Sequence, residues 1–158
     1  MQIYLYICFF FSTFVAQMGN IIQYIIEFLL YGNQEAANLV GYTSAESDWE
    51  KYRVVVVPNG QLGKNIVVPD LSDVYVETIT QDGDERRFVI HTDIIYNTFF
   101  FISRAEELIN PQRDDHGRFL AQYSILGERN RLMIPTVDEY ARLLMKLLGL
   151  QLPTPSFS

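Results

Sequence analysis

The spacing of apolar positions changes repeatedly along this chain, and each change marks an element. From Asn20 to Tyr31 the polar residues Asn20, Gln23 and Glu27 recur at intervals of three and four among Ile, Phe, Leu and Tyr. That pattern predicts a mostly buried helix with one narrow solvated stripe. Gly32, Asn33 and Gly41, separated by polar residues, mark connections, and residues 44–52 predict one short helix ending near Arg53. Residues 54–57 are four valines stopped by Pro58-Asn59-Gly60, and residues 65–68 form a second β-branched run stopped by Pro69; both predict interior strands. Residues 74–80 and 86–90 flank Gln81-Asp82-Gly83-Asp84-Glu85, whose Asp-Gly pair supplies the positive φ that a hairpin with a longer loop requires.

The second half reads as helical. Thr92 or Asp93 can cap a helix carried by Ile94, Ile95, Phe99, Phe101, Ile102, Ala105 and Leu108 to Ile109, where Asn110-Pro111 ends it. Asn97, Arg104 and Glu107 align on its polar side, so Arg104 can pair with Glu107. Thr136-Val137-Asp138-Glu139 after Pro135 is a capping box, with Arg142 and Lys146 toward the negative end and Gly149 as the C′ residue. Val137, Tyr140, Ala141, Leu144, Leu147 and Leu148 form the buried stripe of that helix. The mixture lacks strict βαβ alternation, which predicts an α/β or α+β fold: a single domain over residues 1–150, a small mixed sheet with helices packed on it, and a tail or linker over residues 151–158.

The apolar stretch at residues 3–16 has no basic residue before it, the first in the chain being Lys51, and Phe14 stands where a signal cleavage site needs a small side chain. Ser12, Thr13, Gln17, Gly19 and Asn20 interrupt it too early for a membrane span. Residues 3–7 are therefore read as a buried first strand that turns into a helix. The 158 residues suffice for one real core, and 49% hydrophobic content with 21 Phe and Tyr excludes disorder. Nineteen acids against twelve bases give a net charge of −7, and residues 1–50 hold five acids and no base. Nucleic acid and polybasic membrane contacts are disfavoured. Cys8, the only cysteine, excludes a disulfide framework and reads as an inert core thiol.

Candidate chemistry concentrates between Ser103 and Ser124. Arg104, Glu106, Glu107, Arg113, Asp114, Asp115, His116 and Arg118 fall within fifteen residues. One reading makes Asp114, Asp115 and His116 a metal or proton-transfer site of a stand-alone hydrolase, with Arg104 or Arg118 holding an anionic group. Adjacent residues rarely converge on one ion, however, and His91 and His116 are the only histidines, with no HxxxH, HExxH or CxxC spacing. The favoured reading is structural: ion pairs from Arg104 or Glu107 to the Asp114–Arg118 turn, with Gly117 at the bend. No phosphate loop, dinucleotide motif or nucleophile elbow is present. Trp49 and Tyr52 offer a sugar-stacking platform, although an aromatic pair on a short helix is more often packing.

The same stretch carries a resemblance. Phe99-Phe100-Phe101-Ile102-Ser103-Arg104-Ala105-Glu106-Glu107, then Asp115-His116-Gly117-Arg118-Phe119, then Ser124, then Ile134-Pro135-Thr136-Val137-Asp138-Glu139-Tyr140 resembles the uncharacterised N-terminal domain of bacterial polysaccharide deacetylase-like proteins. The likeness covers residues 94–148, and the opening strand and Ile- and Tyr-rich helix also fit; Ala105 departs from the aromatic expected there. In relatives a deacetylase domain follows, using a divalent metal held by one Asp and two His. The resemblance therefore implies a non-catalytic accessory domain with a C-terminal deacetylase-like domain or glycan-modifying enzyme as partner, and with glycan contact. It transfers no catalytic residue, metal or cofactor, because this chain lacks that motif. Arg104, Glu106, Glu107, Asp115, His116, Gly117, Arg118 and Ser124 are expected to form a structural or interface network. The expected location is cytoplasmic, with envelope association as the alternative.

Overall fold

Four strands, β1 (Val40–Tyr42), β2 (Val54–Val56), β3 (Val76–Gln81) and β4 (Glu85–Ile90), form one mixed sheet in the order β1-β2-β4-β3. The computed structural model describes residues 18–59, 70–83 and 85–152. The strands expected at residues 3–7 and 65–68 lie outside the described residues, as do residues 153–158 of the expected tail. β1 runs parallel to β2 and β2 parallel to β4, with Val54 opposite Phe88 and Val56 opposite Ile90. β3 and β4 are the expected hairpin, Val76 opposite Ile90 and Gln81 opposite Glu85, turned by Asp82 and Gly83 at φ of 46° and 94°. The valine run is a parallel strand covered on both faces, so Val54, Val55 and Val56 are all buried.

β1 corrects the reading of Gly41 as part of a connection. Gly41 sits in the middle of that strand because the Tyr52 ring packs directly over it, where a Cβ would collide. The short helix expected at residues 44–52 is a 3₁₀ turn, Glu46–Lys51.

Six α-helices are described: α1 (Met18–Leu29), α2 (Gln34–Ala37), α3 (Ile94–Ile102), α4 (Glu106–Ile109), α5 (Ile125–Glu128) and α6 (Thr136–Leu147). α1, α3 and α6 contact one another. Ile25, Ile26 and Leu29 from α1, Ile94 and Ile95 from α3, and Tyr140 and Leu144 from α6 share one core with Val54, Val56 and Ile90 of the sheet. Each such side chain contributes about 1.5–3 kcal/mol on burial. The protein is thus a small α/β domain, a mixed sheet with a helical layer on one face. Among the described residues no helix is long and apolar enough to cross a membrane.

Four helix expectations need correction. α1 is not solvated along one polar stripe alone: Tyr24 and Phe28, and Tyr31 in the turn just past its end, are about half exposed. The helix from residue 94 does not run unbroken to Ile109. It stops at Ile102, Arg104 adopts a left-handed φ of 56°, and α4 begins at Glu106. Asn97, placed on the polar side, is instead buried and donates to the Tyr140 hydroxyl at 3.3 Å. At α6 the cap position falls on Pro135, without a side-chain cap bond, and Glu139 pairs with Arg131 at 2.9 Å.

Candidate functional site

The residues singled out between Ser103 and Ser124 separate into three local sets. Arg104, in its left-handed conformation, pairs with Glu107 three residues on. Glu106 is buried, and its Oε1 accepts the Ile125 amide at 2.7 Å, which pins the start of α5 to α4. Ser124 caps α5: its hydroxyl accepts from the Gly127 amide at 3.1 Å and donates to the Ala121 carbonyl at 2.6 Å. Phe100, Ala105 and Ile125 make a small apolar cluster beneath these contacts.

The third set is the acidic turn. Asp114 Oδ1 accepts the amides of His116 and Arg118 at 2.9 and 2.8 Å, and its Oδ2 accepts Nε and Nη2 of Arg118, each at 2.8 Å. Gly117, at φ 75°, closes the loop by donating to the Asp114 carbonyl. The Arg118 amide and its neighbours hold the Asp114 carboxyl below the ordinary aspartate range. Arg113 points the other way, bonding the carbonyls of Glu107, Asn110 and Gln112, with its guanidinium over the Phe119 ring at 5.4 Å. Asp115 and His116 are exposed at the tip of the turn. The expected ion pairs from Arg104 or Glu107 to this turn do not form: Glu107 is taken by Arg104, and Asp114 by Arg118. Among the described residues no group of three His, Cys, Asp or Glu side chains could hold a metal.

A different place gathers chemistry. On the sheet face opposite the helical layer, a groove of about 410 Å³ lies between the 3₁₀ turn and β4. Its walls include Trp49, Glu46, Glu50, Glu77, Arg87 and His91, over Val55 and Val89. His91 Nε2 lies 2.7 Å from Glu77 Oε2, and because a carboxylate only accepts, that nitrogen carries the hydrogen. Tyr75 stacks behind the imidazole at 5.0 Å and 21°, and Trp49 meets it edge-on at 6.2 Å and 76°. Arg87 Nη1 is buried, with no hydrogen-bond partner among the described residues. The sequence paired Trp49 with Tyr52, but the structure pairs it with His91, since Tyr52 lies over Gly41. The signal that could have shown this is alternation: Glu77, Ile79, Arg87 and Val89 share the outer face by strand period and register.

Asp93, three residues beyond the end of β4, is only 2% exposed. Its carboxylate accepts from the Tyr42 hydroxyl at 2.7 Å, the Asn59 amide at 3.0 Å and the Tyr96 amide at 2.9 Å, so it caps α3 and ties together the ends of β1, β2 and β4. Burial, followed by the Asp93 charge, raises the Tyr42 phenol well above its ordinary value.

Neither the curated proteins nor the solved structures yield a match to this chain. A family profile does match, over residues 12–153, which takes in every strand and helix described above. The chain therefore belongs to a family of unknown function, DUF7033.

Proposed function

We propose that this chain is a non-catalytic accessory domain of polysaccharide deacetylase-like, glycan-modifying proteins, packing on a neighbouring catalytic domain and orienting it. One observation carries the reading: the polar groups of the motif-bearing segment are spent on their own chain. Glu106 and Ser124 fasten α5, Arg104 and Glu107 satisfy each other, and both oxygens of Asp114 are occupied by the turn they close. A hydrolase built on Asp114, Asp115 and His116 is the weaker reading, because Asp114 would have to abandon those bonds before it met a metal or substrate. The half-exposed Tyr24 and Phe28 of α1, with Tyr31 in the turn that follows it, supply the apolar surface that packing on a partner domain requires.

The test mixes this chain with a separately expressed polysaccharide deacetylase catalytic domain. The chain alone, given Zn²⁺ or Mn²⁺, should release no acetate from an N-acetylated oligosaccharide, yet should co-sediment with the catalytic domain, and Phe28→Asp should abolish the complex. Acetate release that disappears in His116→Ala would establish the hydrolase instead, and failure to form a complex would remove the accessory reading.

A further inference from the structure

We propose that the groove on the outer face of β4 is a saccharide site that takes one neutral pyranose unit of a glycan. The proposal stands on the groove itself and not on the accessory reading. Arg87 is the first reason. Its Nη1 is buried, and among the described residues no side chain pairs with its guanidinium. A buried donor left unsatisfied is costly, so the groove holds an open demand for an acceptor oxygen.

Charge decides which acceptor. Glu46, Glu50 and Glu77 line the same groove as that single guanidinium, and Glu77 is already committed to His91. A phosphate or carboxylate would meet Arg87 only by entering a carboxylate-lined space, which like-charge repulsion disfavours. A sugar hydroxyl both accepts and donates, so one hydroxyl can take Arg87 while donating to Glu46 or Glu50. The same ligand satisfies both signs of charge without carrying either.

Shape supplies the third reason. Trp49 and His91 present two aromatic planes 76° apart, and the floor is Val55 and Val89. A pyranose has an apolar C–H face suited to an aromatic wall and a polar rim suited to the carboxylates and the guanidinium. His91 is held before any ligand arrives, stacked on Tyr75 and bonded to Glu77, so little ordering cost attaches to that wall. The groove's 410 Å³ lies in the range of about 300–1,000 Å³ typical of small-ligand sites.

Trp49 is the only tryptophan, so its fluorescence reads the groove directly. The intact chain would be titrated with N-acetylglucosamine tetrasaccharide, glucose tetrasaccharide, inorganic phosphate and glutarate. Saturable change with at least one tetrasaccharide and none with the two anions is expected, and Arg87→Gln should weaken the sugar about tenfold or more. Glu46→Ala, at an exposed position, should weaken it several-fold and serves should Arg87→Gln fail to fold by circular dichroism. Asp115→Asn should bind as the parent does. The proposal is overturned by no saturable change with either sugar, by saturation with phosphate or glutarate instead, or by parental affinity in both groove variants. None of those results touches complex formation through α1, so the two readings fail separately.

Discussion

Removing the Asp93 carboxylate is the sharpest test of how the strands are joined to the helical layer. Asp93→Ala deletes the cap of α3, a loss of about 1 kcal/mol. It also strands the Tyr42 hydroxyl, which sits in a dry enough place to raise its titration, at about 1–3 kcal/mol for an unmet donor. The Asn59 amide also loses its acceptor, but Asn59 is exposed and water replaces part of that bond, leaving about 0.5 kcal/mol. The sum is about 2.5–4.5 kcal/mol, which for a domain of this size lowers Tm by roughly 5–18 °C. Thermal melting followed by circular dichroism reads it. Asp93→Asn separates the components: one oxygen still caps Tyr96, while the amide group turned toward Asn59 opposes donor with donor, so its loss should fall between parent and Ala. In the double variant with Tyr42→Phe, the loss should be smaller than the sum of the singles, because the stranded hydroxyl is gone. An Asp93→Ala protein melting within about 2 °C of the parent would refute the reasoning.

Two further outcomes follow from the described geometry. Asp114 titrates below the ordinary aspartate range because the turn's amides and Arg118 favour its charged form. Its contribution is therefore complete above about pH 4, the unfolded aspartate value, and is lost as pH falls through the lower folded one. The His116 and Arg118 amide resonances should accordingly hold steady down to about pH 4 and move only below it; a midpoint above that would contradict the bonding seen here. Gly41→Ala places a methyl group into the Tyr52 ring, which should cost about 1–3 kcal/mol in chemical denaturation, with Tyr52→Ala relieving part of the loss in the double variant.

The strands legible in the sequence were those whose own composition decides them. Four valines between Arg53 and Pro58 permit little else, and Asp82-Gly83 between two alternating runs names its own turn. β1 was not legible, because three residues centred on a glycine carry no strand pattern, and the reason for that glycine, the Tyr52 ring, lies eleven positions away. The break at Arg104 was hidden for a similar reason. Apolar spacing runs through it undisturbed, and only burial of Glu106 against the Ile125 amide shows why the backbone turns there. Charge density drew attention to residues 104–118, where most charges prove to be local fasteners. The groove drew attention only through Trp49, set beside the wrong partner, because Trp49, Glu77, Arg87 and His91 are scattered over more than forty positions and meet only through the pairing of β3 with β4 and the turn laid beside them.

Arg131, with its side chain 13% exposed, holds Asp70 at 3.3 Å and Glu139 at 2.9 Å. Those two carboxylates belong to the segment that leads into β3 and to the first turn of α6. The clamp spans 61 residues on one side and eight on the other, so the short closure is cheap and the long one must wait for the hairpin to arrive. A guanidinium shared in this way makes the two regions open together. Once formed, it bears on how slowly the assembled domain comes apart more than on how quickly it assembles.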